Sequence, residues 1–180
     1  MNHTAHDHSW DSGKAVDLDP LDILAELVVQ RLTLSQEVAA AKYASGQPID
    51  DPIREQQILE SISHTLNDAR VDRDIVIHFF SDQIEANKVI QRGLLQRWYA
   101  HPEEVPTVHD DLTAEIRPKF DCITSQMLEQ FSNMKEVPLV RWACIEDLID
   151  GKFMSRPFRR QLLGLHRSAA VFALRSFSTE

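Results

Sequence analysis

Residues 21–46 read LDILAELVVQRLTLSQEVAAAKYASG. Leu21, Leu24, Leu27, Val28, Leu32, Val38 and Ala41 recur at steps of three and four, the spacing at which side chains of an α-helix share a face. The run should stop at Gly46, which accepts a left-handed C-terminal cap, and Pro48 just beyond it cannot continue the ladder. Asp51-Pro52 then reads as an N-cap with proline in the first turn. A second helix follows through Ile58, Leu59, Ile62 and Leu66. Asp72 or Asp74 opens a third, long helix whose core face includes Val76, Phe79, Phe80, Ile84, Val89, Ile90 and Leu94. It ends before His101-Pro102, and a Pro- and acid-rich loop runs to Asp110. A fourth helix spans roughly Leu112 to Met134. Pro118 near its start either marks the true first turn or kinks the helix, and it biases Arg117 away from helical geometry. Two more helices are expected at about 138–149 and 156–177, on either side of Gly151. Residues 1–17 are polar, aperiodic and His-rich, and read as a loose tail. His3 behind a free amino terminus is a possible copper or nickel chelator, with a leader or tag as the plainer reading. The fold class expected is all-α, a bundle of about six helices forming one domain over residues 18–180.

Composition agrees. The 180 residues are 43% hydrophobic and 26% charged, a globular balance able to bury a core. Only 5 glycines and 8 prolines occur, against about 12% in a typical chain, which favours long helices over a sandwich or barrel. The net charge of −9 disfavours a nucleic-acid binder, because phosphate backbones require a basic surface. No apolar run approaches the ~18 residues of a membrane span. No basic segment followed by an apolar stretch marks a signal peptide at the start. Cys122 and Cys144 are too few for a disulfide framework and lack metal spacing. Buried free thiols are expected, with a single bridge as the alternative.

Several catalytic patterns are absent: Glu-x-x-His, His-Glu-x-x-His, a glycine-rich phosphate loop and Gly-x-Ser-x-Gly. An enzyme built on this chain would act by binding and electrostatics. Arg31 and Lys42 stand eleven residues apart, close to three turns, so they share a face of the first helix with backbones about 16 Å apart at ~1.5 Å per residue. They are either solvated surface cations or arms reaching over a small anion; both lie close to the apolar stripe. Asp51, Arg54 and Glu55 follow at i, i+3 and i+4. Capping and a local ion pair account for them, or Arg54 meets a ligand carboxylate beside acceptors for a ligand hydroxyl. Asn87 and Gln91, at i and i+4 on the third helix, need partners, since an unpaired buried amide costs about 1–3 kcal/mol. Neighbouring helices or a ligand would supply them. From Lys152 to Ser178 there are six Lys/Arg residues and no acid. The segment is either a solvated face balancing the acidic remainder or a site for an anionic effector or partner.

The ordered set Arg31, Lys42, Asp51, Arg54-Glu55, Asn87, Gln91, with the run Arg54 to Leu59 (REQQIL), resembles the all-helical chorismate mutases over residues 21–100. The stretch after it, with Asp111-Leu112 and Arg117-Pro118-Lys119-Phe120-Asp121, is similar to the exported subclass, in which an arginine after the third helix completes the pocket within one chain. The resemblance implies that the three N-terminal helices form the catalytic half. It implies rearrangement of chorismate to prephenate with no cofactor and no metal. Arg31, Arg54 and Arg117 would clamp the substrate carboxylates. Lys42 and Gln91 would donate to the ether oxygen. Glu55 would accept from the ring hydroxyl, assisted by the backbone near Asp51, and Asn87 would support a carboxylate or its arginine. Some relatives carry Glu where this chain has Gln91; a carboxamide donates at any ordinary pH, so no acidic optimum is expected. A homodimer with each site within one chain, in the periplasm or outside the cell, is implied; a cytoplasmic location is the alternative. Two rival functions are a non-catalytic helical interaction module and a pyruvate-lyase acting on isochorismate.

Overall fold

The computed structural model describes residues 19–66, 71–107 and 110–134. The tail 1–17, the helices expected at 138–149 and 156–177, Cys144 and the basic segment after Lys152 lie outside them. The described residues are helical and contain no strand: α1 spans Pro20–Ser45, α2 Pro52–Thr65, α3 Arg73–Ala100 and α4 Arg117–Asn133. A single 3-10 turn, Pro102–Glu104, interrupts the loop that follows α3. None of these helices is long and apolar enough to cross a membrane.

Each segment starts on an aspartate. Asp19 accepts from Leu21 N at 3.0 Å, Asp51 from Arg54 N at 3.1 Å, and Asp72 from Asp74 N at 2.9 Å. Asp111 takes Thr113 N at 2.8 Å and Ala114 N at 2.6 Å. These carboxylates satisfy amides that have no partner inside the helix and meet the positive end of its dipole, at about 1 kcal/mol each. The stop signal works as expected: Gly46 caps α1 at φ 68°, ψ 15°, in the left-handed region.

α1 is the central element and packs on both α3 and α4; α2 rests on α3. The core is Leu24, Val28 and Leu32 from α1, Phe79 and Phe80 from α3, and Met127 and Phe131 from α4. Phe79 meets Phe80 and Phe131 edge-on, with centroids 5.2 and 5.1 Å apart, the arrangement preferred by the ring quadrupole. Burying each such ring contributes about 1.5–3 kcal/mol. Val89, expected on the core face of α3, is only half-buried: the buried positions of α3 are 76, 79, 80, 83, 84, 86, 87, 88, 90, 91, 94 and 98, and 89 is not among them. Cys122, expected to be buried, is exposed: it sits on α4 one residue before the core-facing Ile123.

The fourth helix differs most from expectation. Its first part, Leu112–Ile116, winds as a π turn, with Ile116 N bonded to Asp111 O at 3.1 Å. Arg117 is helical, at φ −57° and ψ −43°, and not displaced towards extended backbone by Pro118. Two contacts outweigh that local preference: the Asp111 cap, and the complete burial of Ile116 against Val38 and Ala41. Pro118, in the first turn of α4, has no N–H to donate, and the wider turn before it relieves the clash its ring makes with a regular helical turn. Lys119 then ties this start to α1, donating to Glu37 at 2.7 Å and to Asp110 at 2.6 Å.

Candidate active site

α2 buries only Ile62 within its own length, and the space between it and the other three helices is a cavity of about 1100 Å³. Arg31, Lys42, Asp51, Arg54, Glu55, Asn87, Gln91 and Arg117 all line it. The structure therefore brings all eight candidate residues to one hollow, from α1, the start of α2, the second half of α3 and the start of α4.

Arg31 is 3% exposed, so it is not a surface cation. Its Nη1 donates to Thr124 Oγ1 at 2.9 Å, and its guanidinium carbon lies 4.8 Å from the centre of the Phe120 ring. Burial pushes its pKa down to about 10, against the opposing pull of Asp121. Arg31 Nε is buried with no hydrogen-bond partner among the described residues. A buried donor without a partner costs about 1–3 kcal/mol, more when charged, and an anion in the cavity would recover that cost.

Lys42, half-buried, donates to the Ile49 carbonyl at 2.6 Å. Burial lowers its pKa; Asp51, Glu55 and Asp50 pull it back up, and Arg117 adds to the lowering. Arg54 and Arg117 are half-buried, and neither guanidinium has a hydrogen bond or ion pair among the described residues. Arg31, Lys42, Arg54 and Arg117 all face one hollow whose lining also carries Asp50, Asp51, Glu55, Asp121 and Glu129, so the cations form a local anion site within a balanced lining, in a chain of net charge −9.

The acids and amides are held more tightly. Asp51 is exposed and spends its side chain on the α2 cap, while Glu55 Oε1 accepts from Asp51 N at 3.1 Å. Asn87 Oδ1 accepts from the Ser35 hydroxyl and its Nδ2 donates to Gln83 O at 2.6 Å. Asn87 thus hydrogen-bonds to no arginine among the described residues; Ser35 and the backbone of its own helix fix it, and one Nδ2 hydrogen is left over. Gln91 is 5% exposed and its Oε1 is buried without a hydrogen-bond partner among the described residues.

Four further residues line this cavity or hold the side chains that do, and were not assigned roles from sequence. Ser35 lies between Arg31 and Lys42 on the same face of α1, at i+4 from Arg31, so the spacing that flagged the two cations carried a signal for it. Phe120 and Thr124 support Arg31 from α4; Phe120 falls within the stretch similar to the exported subclass but carried no role there, and nothing in the local sequence singles out Thr124. Lys88, beside Asn87, looks like half of a surface Glu85–Lys88 pair, yet it is 8% exposed.

Fold and site together define an all-helical protein in which arginine, lysine and carboxamide side chains from four helices gather on one cavity. Residues 18–92 match the model of the family described as chorismate mutase type II. A secreted chorismate mutase of Mycolicibacterium smegmatis is 32% identical over 118 residues, 66% of this chain and 65% of the relative. The chain thus spans slightly less than two thirds of that relative's length. The chorismate mutase of Methanocaldococcus jannaschii is 36% identical over 73 residues, 41% of this chain and 74% of its own. The crystal structure of a chorismate mutase from Burkholderia thailandensis superposes with a TM-score of 0.76 at 26% identity, covering 89% of this chain and 99% of that one. The chain belongs to the chorismate mutase type II family.

Proposed function

We propose that this chain catalyses the Claisen rearrangement of chorismate to prephenate, as an isomerase without cofactor or covalent intermediate. The observation that carries the reading is the convergence of Arg31, Lys42, Arg54 and Arg117 with the buried carboxamide of Gln91 on one cavity. Chorismate has two carboxylates, a ring hydroxyl and an ether bridge. In the rearrangement the ether C–O bond breaks as a C–C bond forms across the same molecule, with no proton gained or lost. Negative charge grows on the ether oxygen in the transition state.

Arg31, Arg54 and Arg117 clamp the carboxylates and force the extended substrate into its reactive, folded form. Lys42 and the Gln91 carboxamide, which rotates to present either its N or its O, donate to the ether oxygen. Glu55 accepts the ring hydroxyl, and Asn87 offers its spare Nδ2 hydrogen. An acceleration of ~10⁶ requires about 8 kcal/mol. Holding the reactive conformer supplies several of these, and each preorganised donor to the developing oxyanion about 3–4 more. The set is sufficient.

Two finer readings go with this one. Arg117 reaches the cavity from the same chain, which supports a site complete within each protomer of a homodimer. The names of relatives such as the secreted enzyme of M. smegmatis support a location outside the cytoplasm. The test of the activity is direct: the purified chain is incubated with chorismate and the products are separated. Prephenate is expected, and Lys42→Ala should lower kcat by about 10²–10³-fold. Release of pyruvate would assign the chain to a lyase, and an unchanged substrate to an interaction module.

A further inference from the structure

Lys88 is a buried cation that the mechanism above leaves unused. It lines the cavity from α3, one residue after Asn87 and three before Gln91. A lysine this far from solvent must be paired, because an isolated buried ammonium is costly. Its Nζ donates to Glu55 Oε2 at 2.9 Å, pairs with Glu85 one turn back, and lies 3.4 Å from Asp50. Asp50 has its own cation, Arg92, at 2.7 Å. Burial works against the charge on Lys88, but hydrogen bonds to Glu85 and Glu55 prevail and raise its pKa.

Seen from Glu55, the arrangement has a purpose. One oxygen takes Asp51 N and the other takes Lys88, which fixes the carboxylate in a single orientation while each oxygen keeps a lone pair for a ligand. A half-buried carboxylate without that partner would meet a doubly negative ligand as a like charge and push it out. We infer that Lys88 is a positioning residue: it locks the Glu55 carboxylate as a hydroxyl acceptor and neutralises it, so that an acid can stand inside a cage built for a dianion. This rests on the mutase reading for the identity of the dianion, and on the ion pair for everything else.

The test is a double-mutant cycle of Lys88→Met and Glu55→Gln, followed by steady-state kinetics with chorismate and by calorimetric binding of a dicarboxylate analogue of the folded substrate. Lys88→Met alone should raise KM and the analogue's Kd about tenfold or more, with a smaller change in kcat, and Lys88→Arg should recover most of the loss. In the Glu55→Gln background the same Lys88→Met change should cost no more than about threefold. An equal loss in both backgrounds would overturn the inference, since a lysine that touched the ligand itself, or merely supported the fold, would not depend on the charge of Glu55. If Lys88→Met does not fold, Lys88→Gln takes its place in the cycle. A parent chain that binds the analogue but does not turn over chorismate would sink the mutase reading and leave the binding cycle to decide Lys88; one that binds neither sinks both.

Discussion

Arg31 shows how one side chain is turned from a surface charge into part of a site. Its guanidinium is stacked on Phe120, anchored by Thr124 Oγ1 and left with an unmet Nε in the cavity. A planar fork held this way fits a carboxylate by two parallel bonds, which a lysine ammonium cannot imitate. Arg31→Lys keeps the charge and removes the fork. Charge-assisted hydrogen bonds are worth about 1.5–3 kcal/mol, so KM for chorismate should rise about ten- to hundredfold while the protein stays folded. Steady-state kinetics on the two proteins would check this, and a change under about twofold would show that charge alone suffices.

Among the elements, α1 carries the most, and its end is set by one glycine. Gly46 sits at φ 68°, and a Cβ built there meets nothing within 4 Å. The penalty for Gly46→Ala is therefore purely torsional: about 1 kcal/mol for a left-handed alanine. Thermal melting should show a Tm lower by about 2–4 °C. No change at all would mean that the α1–α2 junction relaxes freely. The π turn before α4 does comparable work. It lets Pro118 sit in the first turn of the helix while Ile116 is buried and Arg117 faces the hollow.

For the whole molecule, the electrostatics predict a pH profile. In the proposed rearrangement Lys42 donates to the ether oxygen only when protonated, and burial lowers its pKa; Arg31 is lowered to about 10 by the same cause. A lowered pKa brings deprotonation to lower pH, so kcat/KM should fall on the alkaline side before the ordinary lysine value of 10.5 is reached. Gln91 does not titrate, so no activity waits on its protonation in acid. Measured from about pH 4 to about pH 11, the profile should show no rise below about pH 5. A sharp acid rise would contradict the role given to Gln91.

What the sequence by itself determined is local in origin. The three- and four-residue spacing of Leu21 to Ala41, the glycine stop at 46 and the aspartate starts at 51 and at 72 or 74 are set by contacts within one or two turns, and they place α1, α2 and α3 to within a few residues; the structure selects Asp72. The candidate positions from Arg31 to Gln91 were legible for the same reason, as a pattern of residue types along helices and by their likeness to a family. Tertiary structure decided what each of them meets. Arg31 meets Thr124 across 93 residues, Ser35 meets Asn87 across 52, and Lys88 meets Glu55 across 33. Whether a cation is buried, paired or left facing a cavity depends on which distant side chain arrives beside it, and helical periodicity carries no information about that. The helical turn at Arg117 was settled in the same way, by packing that overcame a local preference.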